Sequence, residues 1–312
     1  MNNEQVSYLV FGIVLVLAII VDLGLFSKRS TIITIKKAFW ISLFWIALGL
    51  SFGVFIWFEL GKKEAIEYIS AYLMEKSLSI DNIFVFILIF SFFGVKERNY
   101  ARVLLIGILT AILLRVLFIS IGIELIERFE WLLYVFGGVL LFTGVKMFTA
   151  KGDEQLDIEK NRVYLLLKRF VPLVGEDGEG KFRVRVDGKI FYTSTFVVVI
   201  MLATTDIIFA LDSIPAVFAI SQHPLVIYTS NIFAVLGLRS LFFLLKGAVN
   251  KFKHLQQGIA IVLIFIGLKM LVEIMDIHVP VYISLLVIMV CITASIIYSM
   301  QVANKEAEGE DI

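Results

Sequence analysis

Charge is scarce in this 312-residue chain, in which only 18% of residues are Asp, Glu, Lys or Arg. A soluble domain carries about 25%. Hydrophobic residues make up 60% of the sequence, and apolar runs long enough to cross a bilayer as helices recur along its whole length. The shortage of charge therefore excludes an ordinary soluble domain. It predicts an all-α, polytopic membrane protein.

Other shortages exclude several kinds of chemistry. The chain has one cysteine, Cys291, so it forms no internal disulfide and has no cysteine-based metal motif. Its three histidines lie at span ends or in loops, which argues against a buried imidazole site for zinc or copper. A net charge of +1 gives no reason to expect nucleic acid as a partner. We expect neither enzyme activity nor a permanent cofactor.

Hydropathy predicts about nine transmembrane helices. Lys and Arg concentrate in alternate connections, most of all in the long connection after the fifth span. The positive-inside rule then places the N-terminus outside and the acidic C-terminal tail in the cytoplasm, in a cell (inner) membrane. The segment before the first span has no basic residue, so this span is expected to be retained rather than cleaved as a signal peptide. The predicted spans are 6–26, 38–58, 70–94, 100–123, 131–150, 193–221, 225–247, 256–275 and 279–300.

Two acidic pairs occur inside these apolar spans. Glu75 and Asp81 are six residues apart, and so are Asp206 and Asp212. Each pair opens a unit of three helices, and because three is odd the two units must have opposite orientations in the membrane. The sequence therefore predicts an inverted repeat with a site between its halves near the midplane, as in many transporters.

Further positions of the two units align. Arg115 aligns with Arg239, and LLFTGVKMF aligns with LIFIGLKML, which pairs Lys146 with Lys269. We interpret the four basic residues as structural or coupling charges. The expected organisation is two peripheral helices (1–69), the first unit (70–150), a cytoplasmic linker (151–192), the second unit (193–275), and a final helix with the acidic tail (276–312).

The linker has a pattern of its own. KFRVRVDGKIFY alternates around Asp187-Gly188, which predicts a β-hairpin with a tight turn. The segment 156–170 has helical periodicity and basic residues, which would suit a helix on the membrane surface. We interpret the linker as a structured connection between the two units.

A carboxylate at the centre of a spanning helix costs about 2.5–3.5 kcal/mol on insertion scales. Such groups face the protein interior, where they are paired or functional. An amide or a hydroxyl directly follows the second acid of each pair, and oxygen ligands of these types favour Mg²⁺, Ca²⁺ or Mn²⁺. Burial also disfavours a carboxylate's charge, which makes exchange of the metal for protons feasible. The predicted metal ligands are Glu75, Asp81, Asn82, Asp206, Asp212 and Ser213.

Local geometry leaves alternatives open. Glu75, Ser79 and Asn82 share one helical face and Asp81 lies off it, so either the helix unwinds locally or the site is wide. Pro215 frees a backbone carbonyl four residues earlier, which could line a cavity or reflect only a packing kink.

Other residues near the acids also allow two readings. Met74 and Met201 could offer thioether ligands or simply fill space. Asp22, near the inner end of the first span, could cap that helix or pair with Lys28 or Arg29. Glycines in the fifth and eighth spans favour close helix packing.

Several segments together resemble the TerC family of membrane proteins, especially its Alx-type members of nine spans. The most specific are EKSLSIDNIFVF (75–86), FALDSIPAVFAIS (209–221) and TSNIFAVLGLRSLFFLL (229–245). The resemblance implies a role in metal-ion homeostasis, with manganese export attributed to Alx-type proteins. It also implies a relation to the LysE-like exporters. The family's name derives from tellurium resistance. The family's second motif usually has Glu where this chain has Ala203. The departure leaves three alternatives open: a weaker site, a differently selective site, or a site in which Thr204 and Thr205 serve instead.

The function expected from these arguments is export of a divalent cation, Mn²⁺ first, with the bilayer and the ion as partners. An exporter of an amino acid or other small solute is the alternative, with Arg115 and Arg239 binding the solute's carboxylate. A non-transporting protein that assists membrane-protein assembly or metal-stress resistance is another. An intramembrane aspartyl protease is disfavoured, because neither Asp81 nor Asp212 lies in a GxGD motif.

Overall fold

The computed structural model of the chain describes residues 3–26, 33–129, 131–149, 165, 172, 181–186, 189–246, 255–272, 275 and 279–310. A few side chains within these helices, including those of Asp81 and Asp212, lie outside the description. The described residues are helical apart from one short hairpin and the connections, which confirms the all-α class.

Ten helices follow one another along the described chain, and six of them are long and apolar enough to cross a membrane, or seven when one bent pair counts as a span. The helix α3, which carries several charges, is not among them, and in α9 the stretch Gln256–Val272 counts only as a shorter apolar helix. The total of nine spans stays a prediction. The helices are α1 (Asn3–Phe26), α2 (Ile35–Glu59), α3 (Lys62–Phe92), α4 (Glu97–Arg128), α5 (Leu132–Thr149), α6 (Ser194–Ile220), α7 (Pro224–Val235), α8 (Leu238–Lys246), α9 (Leu255–Val272) and α10 (Val281–Glu310).

The predicted seventh span is not one helix. It divides into α7 and α8, which meet at a bend of 40°. Gly237 lies in the break with φ of +82°, a conformation that other residues rarely adopt. A Cβ at this position would also lie 2.6 Å from the Trp45 side chain of α2. The prediction of a continuous helix from 225 to 247 is therefore wrong at this glycine.

The two helices that carry the acidic pairs are continuous. α3 passes Asp81 without interruption, so a locally unwound helix, the first of our two alternatives for this residue, is wrong. α6 likewise continues through Pro215, which is buried. The wide site is the alternative that remains.

These two helices form the centre of the molecule. α3 packs against α6 and α7, α6 packs against α4, and α5 packs along α9. In the predicted repeat, α3 corresponds to α6, α4 to α7 and α5 to α9. The α3–α7 and α6–α4 contacts are then equivalent to each other, although the two-fold relation itself stays a prediction. Around this centre, α2 packs on α3 and α8, and α10 packs on α9 and α3.

The predicted hairpin is confirmed. β1 (Arg183–Val186) and β2 (Lys189–Tyr192) pair antiparallel with Val186 opposite Lys189. The turn residues 187–188, and all of the helix expected at 156–170 except position 165, lie outside the described residues. Arg102 of α4 lies over the Phe182 ring, 5.4 Å from its centroid, which holds the segment before β1 against the helical bundle.

Close packing of α5 on α9 confirms the role expected of the glycines. A Cβ on Gly144 would lie 2.8 Å from the backbone nitrogen of Ile264 and 2.9 Å from the Ala260 carbonyl oxygen. A Cβ on Gly267 would lie 2.8 Å from the Gly137 carbonyl oxygen. Gly138 differs, because a Cβ there would meet nothing within 4 Å. Helices in membranes associate through such small residues, since lipid removes the hydrophobic driving force.

Gly144→Ala is expected to destabilise the protein, because its new methyl group would press on backbone atoms that cannot rotate away. Overpacking of this kind costs about 1–3 kcal/mol. The melting temperature of the purified protein in detergent should fall. Gly138→Ala, six residues earlier on the same helix, is the matched control and should leave it unchanged. Equal melting temperatures for the two variants would contradict the close packing of α5 and α9.

Candidate functional site

Glu75 and Asp206, the first acids of the two pairs, meet at one guanidinium. Arg115 of α4 donates from Nε to Asp206 Oδ2 at 3.2 Å and from Nη2 to Asp206 Oδ1 at 3.1 Å. Its Nη1 donates to Glu75 Oε1. All three residues are at most 2% exposed. One cation on α4 therefore joins α3 to α6 in the interior of the molecule.

Asn231 of α7 completes this cluster and was not predicted. Its Oδ1 accepts from Arg115 Nη1 at 3.4 Å, and its Nδ2 donates to the Ile227 carbonyl at 2.9 Å. The signal was present in the sequence, because an amide within the apolar run of α7 should have a partner in the bundle interior. α3, α4, α6 and α7 all contribute to the cluster.

Arg115 suits this position because guanidinium is planar and stays charged, with donors that match carboxylate oxygens in pairs. Removing one partner of a buried ion pair costs about 3–5 kcal/mol, because the other charge is left without compensation. Two acidic side chains thus share one guanidinium. One carboxylate oxygen, Glu75 Oε2, is buried and has no hydrogen-bond partner among the described side chains.

Two hydroxyls on α3 and α6 are in the same situation as Glu75 Oε2. Ser79 Oγ on α3 and Ser213 Oγ on α6 are both buried, and neither has a hydrogen-bond partner in the part of the chain that the structure describes. Asn82, one turn beyond Ser79, is also buried. Buried polar atoms are nearly always hydrogen-bonded, so such exceptions on two packed helices call for an explanation. A cation bound between α3 and α6 would supply one.

The second acids complete the predicted set only in part. Asp81 and Asp212 directly precede Asn82 and Ser213 on α3 and α6, but their side chains lie outside the described part. Convergence of the first acids is observed, whereas convergence of all four stays a prediction. Among the side chains that are described, no three His, Cys, Asp or Glu residues lie close enough together to hold a metal ion.

Arg239 has a different environment from the α4 arginine with which the repeat aligns it. Its Nη2 lies 2.6 Å from Asp22 Oδ2, and its Nη1 donates to the Ala101 carbonyl at 3.3 Å. It thus ties α8 to α1 and α4, as expected of a structural charge. For Asp22 the sequence left open a helix cap or a pair with Lys28 or Arg29, two residues that lie outside the described part of the chain. Its described partner comes from α8.

The aligned lysines also differ from each other. Lys269 is buried and donates to the Ala219 carbonyl near the end of α6 at 3.1 Å. Lys146 is exposed on α5. The alignment therefore identifies related positions without predicting equivalent contacts.

Another buried acid was missed because it precedes the predicted span. Glu67 lies in the second turn of α3, which begins at Lys62, and it is 6% exposed. Its Oε2 accepts a hydrogen bond of 2.5 Å from Ser221, the residue that ends α6. The Ser221 hydroxyl also accepts from the His223 backbone nitrogen at 3.1 Å. This link is a second connection between α3 and α6.

The other candidate ligands pack as ordinary helix residues. Met74 and Met201 are buried in two separate apolar clusters. Thr204 and Thr205 donate to carbonyls four residues earlier on their own helix, at 2.7 and 2.6 Å. The alternative in which the methionines fill space agrees with this packing.

Comparison with known proteins agrees with the resemblance seen in the sequence. The profile of the family described as "Integral membrane protein TerC family" matches residues 60–307. An uncharacterized membrane protein of Myxococcus xanthus, STKORF319, is 42% identical over 93% of this chain and 90% of its own length. A protein of Salmonella typhi named "Putative membrane-bound redox modulator Alx" is 40% identical over 95% of this chain and 94% of its own.

A protein of Escherichia coli K12 with the same name is 40% identical over 88% of both chains. No solved structure matches this chain significantly. The profile covers both acid-bearing helices and the arginine that joins them. The chain is a multi-pass integral membrane protein that belongs to the TerC family.

Proposed function

We propose that the protein is a transporter that exports a divalent cation, Mn²⁺ first, from the cytoplasm through a site between α3 and α6. The observation that carries the proposal is the meeting of Glu75 and Asp206 at Arg115, between the two helices that bear the acidic pairs. The protein would lie in the inner membrane with its N-terminus outside, as the distribution of basic residues predicts.

Asp81 and Asp212, the second acids of the two pairs, are the main metal ligands in this proposal. Arg115 already engages the first acids, whereas Asp81 and Asp212 each adjoin a buried amide or hydroxyl. In a helix, Asp81 lies about 9 Å along the axis from Glu75. The metal would bind at Asp81, Asp212, Asn82 and Ser213. Arg115 would hold the first acids while no metal is bound and compete with the metal for them.

The donor set agrees with a hard cation. Carboxylate, amide and hydroxyl oxygens suit Mg²⁺, Ca²⁺ and Mn²⁺. The choice of Mn²⁺ among these three comes from the resemblance to Alx-type proteins. Exchange for protons is the proposed coupling, because carboxylates removed from water hold protons more readily than exposed ones.

Export of an amino acid or other small solute has less support. That alternative requires Arg115 or Arg239 to bind the solute's carboxylate, and each arginine is already paired with a carboxylate of the protein. The redox role in the names of the Alx relatives has less support as well. The single thiol of Cys291 is half-buried in α10 and cannot form a disulfide within the chain.

The first prediction from this proposal concerns Asp81 and Asp212. In cells loaded with manganese, the parent protein should lower cellular Mn²⁺, whereas Asp81→Asn and Asp212→Asn should each abolish most of this effect because a ligand charge is lost. Cellular manganese would be measured by mass spectrometry at matched protein levels. Glu124→Gln, an exposed acid that pairs with Arg128 on the surface, is the control and should behave as the parent. Full activity in both Asp variants would refute the site.

The second prediction separates the cluster's structural role from transport. Arg115→Met should greatly reduce the yield of folded protein, because it leaves two buried carboxylates without a counter-charge. Adding Glu75→Gln and Asp206→Asn to that variant should restore folding by removing the stranded charges. The yield of monodisperse protein on size-exclusion chromatography is the measurement.

The triple variant should fold but not lower cellular Mn²⁺. A triple variant no more stable than Arg115→Met would show that charge pairing does not hold the cluster together. A fully active triple variant would show that these three residues are not needed for export.

A further inference from the structure

Lys76 makes a contact that the proposed transport site does not use. Its Nζ donates to the Ala234 carbonyl at 3.0 Å and to the Leu236 carbonyl at 3.1 Å. The lysine belongs to α3, and both carbonyls lie at the break between α7 and α8. The ammonium of this half-buried lysine is thus held by backbone oxygens from another part of the chain.

The break makes these carbonyls available. The last carbonyls of a helix have no amide partner within the helix, and α7 ends at Val235. α7 has 12 residues, or about 18 Å, so in a single span made of α7 and α8 the break would lie near the middle of a hydrocarbon core of about 30 Å. No water reaches that depth in lipid, so unpaired carbonyls there are tolerated only where another group binds them.

The neighbouring groups show that the break is a defined structure. The Gly237 carbonyl accepts from the Leu241 backbone nitrogen at 3.0 Å and from Ser240 Oγ at 2.8 Å, and it is therefore used by the first turn of α8. Ser42 of α2 donates to Ser240 Oγ at 3.0 Å. The carbonyls on either side of Val235 instead point to the ammonium.

Carbonyls at the C-terminal end of a broken membrane helix carry partial negative charge, and in transporters such ends coordinate small cations. We propose that the Ala234 and Leu236 carbonyls form a monovalent-cation site at the α7–α8 break, which the Lys76 ammonium fills in place of a free ion. Without the lysine side chain, the site would take Na⁺, K⁺ or a small alkylammonium ion.

The contact also has a positional consequence. Lys76 directly follows Glu75 on α3, and α7 carries Asn231, so the same contact fixes two elements of the Arg115 cluster relative to each other. Lys76 is in this sense a positioning residue. The inference concerns a monovalent cation and does not depend on manganese export.

Thermal melting of the purified full-length protein in detergent tests the inference. Lys76→Ala should melt lower than the parent in choline chloride, because choline is too large for the site. At constant ionic strength, NaCl, KCl or methylammonium chloride should raise its melting temperature saturably by about 2–4 °C or more. The parent should melt at the same temperature in all four salts, because its site is filled.

Two further variants distinguish the cation site from general destabilisation. Ile83→Ala removes a fully buried side chain from the same helix and should lower the melting temperature equally in every salt. Lys76→Arg keeps a cation at the break and should show no salt preference. If the Ala variant cannot be purified in choline, its yield after extraction in KCl or in choline becomes the measurement, with recovery expected in KCl alone.

The inference would be overturned by Lys76→Ala having equal melting temperatures, or equal yields, in choline and in the small cations. It would also be overturned if the parent itself gained saturable stability from Na⁺ or K⁺ relative to choline. Either result would mean that the lysine does not occupy a cation site.

Discussion

The placing of one guanidinium between two carboxylates is the interaction on which the interior of this protein depends. In lipid the helices gain no hydrophobic free energy by associating, so polar contacts and close packing must hold them together. Arg115 joins α3, α4 and α6 directly and reaches α7 through Asn231. The acids that would otherwise be costly to bury thereby become a connection between α3 and α6.

Around this cluster, backbone groups act as binding partners. The α7–α8 break exposes carbonyls that Lys76 binds, and Arg239 and Lys269 each donate to a carbonyl of another helix. At the α5–α9 contact, glycine lets the two backbones come close. The interior thus combines charge pairing at the centre with close packing beside it.

The elements that sequence predicted well depend on local patterns. Hydropathy gave the approximate positions of the long helices, and period-two alternation with Asp-Gly gave the hairpin. Six-residue spacing identified two acidic segments that do lie on packed helices. Each of these features is determined by residues close together in the chain, and so a single sequence contains enough information to find them.

The contacts that were missed depend on residues far apart in the chain. Asp22 lies 217 residues before its partner Arg239, and Lys76 lies 158 residues before Ala234. Repeat alignment paired the two arginines, yet the partner of the second lies on α1, which is outside the repeats. Gly237 was visible in the sequence, but its positive φ and the close approach of the Trp45 side chain are seen only in the folded structure.

Direct binding of Mn²⁺ to the purified protein tests the central claim, that the acids of α3 and α6 form a divalent-cation site. The electron paramagnetic resonance signal of free aqueous Mn²⁺ would be followed as protein is added. The account predicts a saturable loss of this signal with the parent protein and none with the double variant Asp81→Asn, Asp212→Asn. No binding by the parent, or undiminished binding by the double variant, would contradict it.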